Sequence, residues 1–422
     1  MQAVHFVLLV ADIGKKGIPN SNSVSVRDSF RASSAPFSTS CTIDCMTAKD
    51  LHPFDALILM SFGGPEKEDD VLPFLQNVTR GRGIPDERLV EVGEHYYGFG
   101  GKSPINEQNR DLLDALKHEL QRRGLDTPLL WGNRNWDPFL TDVVRDFAVE
   151  SRGTRFLAID TSAYSCYSSC RQYREDFAST VNTLSGEGID VSFDKVRQYY
   201  NHPGFAQAEL TCVRRAVEKF SKQVGGLDVR RHRLLYVTHS IPQTMQEASE
   251  RWTVGYRGQH QQLMDWIGEE LGDAQPLETE LVFCSRSGSP QTPWLEPDVN
   301  DRMEELAAQG IEGVITVPLG FVSDHMEVKY DLDTEAAQTA RDLGLAFVRA
   351  ETVGTDPDFV SGLIDAALER AAQYRGEIIE SPAVTPEGAL VPGSGACSTT
   401  CCLGSQPKPI APIWEVLSTL QK

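Results

Sequence analysis

Long apolar runs are missing from this chain of 422 residues. Nowhere does it reach the ~18 consecutive apolar positions that a membrane-spanning helix needs. Positive charge is also scarce: 40 Lys and Arg stand against 60 Asp and Glu, a formal charge of −20. That balance argues against a nucleic-acid backbone as principal partner, because phosphate binding needs clustered cations. Any membrane contact is at most peripheral. Cysteine is too sparse for a disulfide scaffold, at nine residues and an odd count. The first apolar run, Val4 to Ala11, has no basic segment before it, which argues against a secretory leader.

What is present is an ordinary globular composition, 40% hydrophobic and 24% charged. The length suits two domains or one large α/β unit. The two ends differ from the rest. Residues 21–40 hold eight serines and no periodicity, which faintly resembles an organelle transit peptide; the alternative favoured here is that Met46 is the natural start, so that residues 1–50 are an extension outside the fold. Glu380 to Pro409 is rich in Pro, Gly, Ser and Thr and reads as loop, so 381–422 is taken as a tail. It carries Cys397, Cys401 and Cys402.

Between the ends, short apolar runs alternate with amphipathic stretches. Ala56–Phe62, Leu129–Trp131, Phe156–Ile159, Leu234–Thr238, Leu281–Cys284 and Gly313–Leu319 are strand-length and lack polar alternation, so both faces should be buried. Helical patterns follow at Glu107–Arg123, Pro138–Glu150, Ala206–Lys222, His260–Leu271 and Val299–Gln309. This alternation predicts parallel sheets with right-handed crossovers, in two doubly wound halves over about 51–230 and 231–380. Ligands of such folds sit beyond the carboxyl ends of the strands, where Ser61, Asn133, Thr161, His239, Ser285 and Phe321 fall.

Two nucleotide motifs fail. Gly101-Lys102-Ser103 would need glycine at 96 for a phosphate loop, and Tyr96 stands there; a dinucleotide fingerprint would need a third glycine where Ser103 stands. The segment reads as a turn before a helix. A lone histidine is more often structural than catalytic, but His239 closes a buried strand before a Ser-x-Pro turn. A neutral imidazole there can take protons or ligate a metal. Glu327, Asp331 and Glu335 lie four apart, on one face of a helix. A solvated acidic face is the ordinary meaning; a carboxylate path for a divalent cation is the other.

Ser61-Phe62-Gly63-Gly64-Pro65, Gly100-Gly101-Lys102-Ser103-Pro104, Gly132-Asn133-Arg134-Asn135-Trp136, Thr238-His239-Ser240-Ile241-Pro242, Ser285-Arg286-Ser287-Gly288 and Ser323-Asp324-His325-Met326-Glu327 together resemble a ferrochelatase, over roughly 54–375. The resemblance implies a cytoplasmic enzyme that inserts Fe2+ into a porphyrin held between two Rossmann-like halves, each with a parallel four-stranded sheet. It places the family's histidine on His239, as proton acceptor and metal ligand, and its glutamate on Glu327, as partner across the ring. It puts porphyrin contacts on Ser103 and Tyr173 and a propionate partner on Arg80 or Arg82, while the four-residue spacing from Glu327 offers Asp331 and Glu335 as an iron path. Phe62 stands where some members carry an iron-reaching tyrosine, so that role does not transfer. Its likeness to actinobacterial sequences points to coproporphyrin III, with protoporphyrin IX second. Several members hold a 2Fe–2S cluster on four cysteines. Cys397, Cys401 and Cys402 would be three, and Cys170 the fourth, with Cys166 the alternative. Cys212 and Cys284 read as core residues. Competing readings are a non-catalytic heme or metal carrier and a cobalt or nickel chelatase; the latter relies on paired histidines.

Overall fold

Two parallel sheets with the same strand order form the framework of the chain, seen in a computed structural model that describes residues 50–81, 83–287, 291–377, 379, 381–385 and 400–404. The first sheet contains β1 (Ala56–Ser61), β2 (Leu129–Asn133), β3 (Arg155–Asp160) and β4 (Ser192–Lys195), in spatial order β2-β1-β3-β4. The second contains β5 (His232–His239), β6 (Glu278–Cys284), β7 (Gly313–Val317) and β8 (Ala346–Arg349), ordered β6-β5-β7-β8. All neighbours pair in parallel, so each crossover carries a helix over a sheet face.

The central strands are buried on both faces. In β1, Leu57 and Leu59 pack with Leu157 and Ile159 against the helix Ile105–Arg122, while Ala56, Ile58 and Met60 pack with Val144 and Phe177 on the other side. In β5, Leu234 and Tyr236 face Phe205 and Leu263, and Leu235 and Val237 face Met303 and Leu332. One apolar cluster runs through both halves, from Leu57 to Leu363, and joins the two sheets into one packed body. At ~25 cal/mol per Å² of apolar area removed from water, this shared core is the main force holding the halves together.

All six strands read from the sequence are present, and the five helical patterns are helices: Ile105–Arg122, Leu140–Ser151, Pro203–Val224, Gly255–Leu271 and Val299–Ala308. The edge strands β4 and β8 were not read from the apolar pattern, because each is four residues long and carries charge. Their charges are paired: Asp194 binds Arg370 at 2.6 Å, and Arg349 binds Asp324 at 2.9 Å and Asp333 at 2.8 Å. Charged, short edge strands are also protected against pairing with another chain. Residues 328–336 depart from an α-helix and form a π-helix. Among the described residues no helix is long and apolar enough to cross a membrane. The extension to residue 49, Arg82 and Cys397 lie outside the described residues.

Candidate active site

In each sheet the chain steps from its first strand to the two sides in turn, so the order reverses between β1 and β3 and between β5 and β7. The crevice beyond the strand ends at such a reversal is where open α/β sheets bind ligands. A cavity of about 220 Å³ opens there. One wall, from the first half, presents Phe62, Ser103, Arg134, Thr161 and Tyr173; the other presents His239, Gly320, Phe321, His325 and Glu327.

His239 ends β5, and its position is fixed through its backbone and ring. The Tyr256 hydroxyl donates to the His239 carbonyl at 3.2 Å. His239 Nδ1 lies 2.5 Å from the Ser240 carbonyl, which can only accept, so Nδ1 carries the proton and Nε2 is the basic nitrogen. Nε2 faces Glu327 Oε1 at 3.3 Å. Burial pulls the imidazole down, but the Glu327 carboxylate and the Ser240 carbonyl outweigh it and hold His239 above its usual 6.5. Burial would raise Glu327, yet His239 and His325 hold it down at about 2. Each group of the pair therefore favours the charged form of the other.

Glu327 is held from both sides. Gln108 Nε2 donates to the Asp324 carbonyl at 3.0 Å, and Asp324 N donates to Gln108 Oε1 at 2.7 Å. The Arg349 fork then ties Asp324 to Asp333, across the start of the π-helix. A π-helix closes its hydrogen bonds over five residues, and such segments occur often at functional sites. Here it turns Asp331 inward, where Ser285 Oγ donates to Asp331 Oδ2. Burial, the main cause, raises Asp331 to about 8 against that hydrogen bond, with Glu327 and Glu335 adding to the rise. The shift favours the protonated form of Asp331 near neutral pH. Of the three spaced carboxylates only Glu327 lines the cavity; Asp331 is buried behind it and Glu335 is half-buried farther along.

One sequence expectation is corrected by distance. A macrocycle between His239 and Glu327 would need roughly 7 Å, two van der Waals separations of ~3.5 Å. At 3.3 Å the two side chains share one side of the cavity. Ser103 is buried in the opposite wall, where its amide donates to the Pro65 carbonyl at 2.8 Å. Tyr173, on the helix Gln172–Gly186, and Phe62 line the same wall, Phe62 edge-on to Phe74 at 6.3 Å. Arg80 is exposed and does not line the cavity.

Two lining residues lay inside quoted motifs without an assigned role. His325 sits beside Glu327, with Nδ1 accepting from the Glu327 amide at 3.2 Å and lying 3.7 Å from Oε2. Arg134 follows β2 directly, its guanidinium 4.9 Å over the Tyr173 ring and 2.5 Å from Asp176. The available signals were the strand end before Arg134 and the motif around Glu327 that contains His325.

The cysteines divide by location. Cys212 and Cys284 are core residues. Cys166 lines the cavity and is bonded to Ser168 and Ser169 at 3.3 and 3.1 Å. Cys170 is buried in the π-turn Tyr167–Arg171. The tail loop 400–404 docks on that turn: Arg171 Nη1 donates to the Cys401 carbonyl at 3.4 Å, and Gly404 lies against the Tyr167 ring. Cys401 and Cys402 are buried there with their sulfurs 3.5 Å apart, and Cys402 takes a left-handed φ of 49°. Among the described residues no three metal-ligating side chains converge.

The ferrochelatase family model matches residues 54–371. The coproporphyrin III ferrochelatase of Streptomyces griseus subsp. griseus is 48% identical over 374 residues, covering 86% of this chain and 97% of that protein. The protein of the same description from Streptomyces coelicolor is 47% identical, covering 86% and 96%. Among solved structures, SirB from Bacillus subtilis with Fe3+ aligns with 78% of this chain and 100% of its own, at 10% identity and a TM-score of 0.45.

Proposed function

The chain belongs to the ferrochelatase family and is a metal chelatase, a lyase, and from that premise we propose that it inserts Fe2+ into coproporphyrin III to give the iron porphyrin. The observation that carries this reading is the His239–Glu327 contact at the strand-end cleft. Metallation removes two pyrrole protons and brings the metal to four nitrogens, which needs a base and an anionic metal handler side by side. In this reading His239 Nε2 accepts the pyrrole protons in turn and then ligates iron. Glu327 receives each proton's charge and steadies the approaching cation. Asp331 and Glu335 lie along the route by which protons leave and metal approaches. A carrier would need no such base beside a carboxylate.

The porphyrin lies against Ser103, Tyr173 and Phe62 in this proposal. Thr161, Ser162, Ser168 and Gln172 add neutral donors to the same wall. They suit coproporphyrin III, whose additional carboxylate arms would leave those donors unpaired if replaced by vinyl groups. The names of the curated relatives support the same choice.

We also infer a 2Fe–2S cluster held by Cys170, Cys397, Cys401 and Cys402, supplying one-electron redox capacity when bound. Two sulfurs ~2.3 Å from one tetrahedral metal sit ~3.8 Å apart, close to the 3.5 Å between Cys401 and Cys402. Their loop docks on the turn that carries Cys170, whereas Cys166 faces the cleft; this favours Cys170 over Cys166. Acid-labile sulfide after anaerobic purification tests it.

The test of the main proposal is anaerobic Fe2+ insertion, comparing coproporphyrin III with protoporphyrin IX by loss of porphyrin fluorescence. Preferential metallation of coproporphyrin III is expected. Preference for protoporphyrin IX would overturn the substrate, and metallation of neither would overturn the activity.

A further inference from the structure

Resting on the metallation reading above, we infer that Arg134 is a catalytic residue which stabilises the deprotonated macrocycle from the face remote from His239. The guanidinium is 11% exposed and belongs to the first half's wall of the cavity, while His239 and Glu327 belong to the second half's wall. A flat ring bound in that space has one face toward each.

Arg134 is built into place. Its amide donates to the Ser61 carbonyl at 3.0 Å, which fixes the backbone at the end of β2. Its guanidinium lies over the Tyr173 ring at 4.9 Å and near the Phe62 ring at 6.0 Å. Asp176 pairs with it at 2.5 Å, but Asp176 does not line the cavity. The ion pair is therefore a fixed dipole with its positive end toward the cleft. Burial works against the charge, yet Asp176 more than offsets it, so the group stays cationic throughout the working range.

The chemistry makes such a charge useful at one moment. Before metal binds, the two pyrrole N–H bonds break. Their protons pass through His239 Nε2 to solvent, and the electron pairs stay on nitrogen. The macrocycle then carries two negative charges until Fe2+ binds, and no oxidant or reductant is involved. A neutral porphyrin gains little from the guanidinium and the dianion gains much, so the interaction is stronger after deprotonation than before it. Its pre-orientation by Tyr173 and Asp176 means little reorganisation is needed when the charge appears. The same cation repels Fe2+, which leaves the His239–Glu327 side as the face the metal approaches.

The test uses the full-length protein, Fe2+ and whichever of coproporphyrin III or protoporphyrin IX the wild type metallates, under anaerobic conditions. Failure of the wild type would be failure of the metallation reading, separate from this one. Arg134→Met is expected to bind porphyrin within about threefold of wild type and to lose about 10- to 100-fold in kcat, below the 10²–10³ of a lost oxyanion donor because Asp176 offsets part of the charge. The acid limb of its kcat profile, set by His239, should stay in place while the plateau falls, since N–H ionisation becomes harder. Arg134→Lys, which keeps the charge, should recover part of kcat. Unfolding curves for each variant separate loss of fold from loss of charge. An unchanged kcat with raised KM would make Arg134 a substrate anchor and overturn the inference. A Lys variant no better than Met, both folded as wild type, would overturn it equally.

Discussion

His239 Nε2 and Glu327 Oε1 meet at 3.3 Å, although the two residues sit at the ends of different crossovers of the second sheet. The contact sets a pH dependence. Glu327 holds His239 above 6.5, so the basic form that the proposed proton acceptance and metal ligation call for accumulates only as pH rises past that value. Fe2+ insertion should therefore show an acid limb above pH 6.5. In Glu327→Gln the limb should move to lower pH, with a much lower plateau, because the carboxylate that raises His239 is gone. His239→Ala should abolish metallation while porphyrin still binds by fluorescence titration. A Glu327→Gln profile with an unmoved limb would sever the link between the pair and the rate.

Gly320 fixes how closely the segment after β7 approaches β5. A Cβ there would meet the Thr238 Cα at 2.9 Å, a backbone atom one residue before His239. Backbone cannot swing aside as a side chain can, and overpacking costs about 1–3 kcal/mol. Gly320→Ala is expected to lower stability by that amount and to reduce kcat more than KM, by displacing His239. Wild-type kcat in a folded Gly320→Ala protein would show that the approach does not position the histidine.

The strands were legible because fully buried strands leave short apolar runs, as at Ala56–Phe62 and Gly313–Leu319. The edge strands β4 and β8 were not, since Ser192–Lys195 is mostly polar and the apolar residues of Ala346–Arg349 end at once in a charge. The carboxylate spacing at Glu327, Asp331 and Glu335 was visible, but its meaning depended on depth. Burial, added to by Glu327 and Glu335, raises Asp331 against the hydrogen bond from Ser285, 46 positions away, and no local pattern encodes that depth. Arg134 was hidden for a related reason: an arginine's role follows from what encloses it, and Tyr173 and Asp176 come from a helix about 40 residues on.

Glu209, in the helix Pro203–Val224, is 1% exposed, and its Oε1 has no hydrogen-bond partner among the described residues. Burial raises its carboxyl well above 4.5. The folded state then holds a proton that the unfolded state releases, so stability is lost as pH climbs above 4.5, by up to about 1.4 kcal/mol per unit. Glu209→Gln should match the wild type near pH 4 in urea unfolding and exceed it at pH 7. Parallel curves at the two pH values would refute this.

His260 shows the opposite sign. It is stacked on Tyr164 at 3.6 Å, its Nδ1 donates to the Tyr256 carbonyl at 2.8 Å, and burial lowers it to about 3. Below pH 6.5 the unfolded state takes up a proton that the folded state refuses. Stability should fall with pH between 6.5 and 3, by about 1.4 kcal/mol per unit from this residue. His260→Phe should keep the stack and remove that share of the slope. Urea midpoints between pH 6.5 and 5 measure it, and an identical slope in the variant would assign the loss elsewhere.

Gly404 is the test of how the tail loop docks. A Cβ on Gly404 would lie 2.6 Å from the Tyr167 ring, and the ring has little freedom to yield. Its hydroxyl donates to Glu175 at 3.2 Å, and the same carboxylate pairs with Arg171 at 3.1 Å, the arginine that also binds the Cys401 carbonyl. The clash of Gly404→Val is therefore relieved most easily by undocking residues 400–404. A cost of about 1–3 kcal/mol corresponds to roughly 5- to 150-fold greater exposure of the loop. Maleimide labelling of Cys401 and Cys402, read by mass spectrometry, should accelerate by that factor, while the core thiols Cys212 and Cys284 stay slow. Because Cys166, Ser168 and Ser169 of the adjoining turn line the cleft, porphyrin affinity should fall in the same variant. Unchanged labelling would mean that the Tyr167 contact does not hold the loop, and faster labelling with unchanged porphyrin affinity would confine the coupling to the tail.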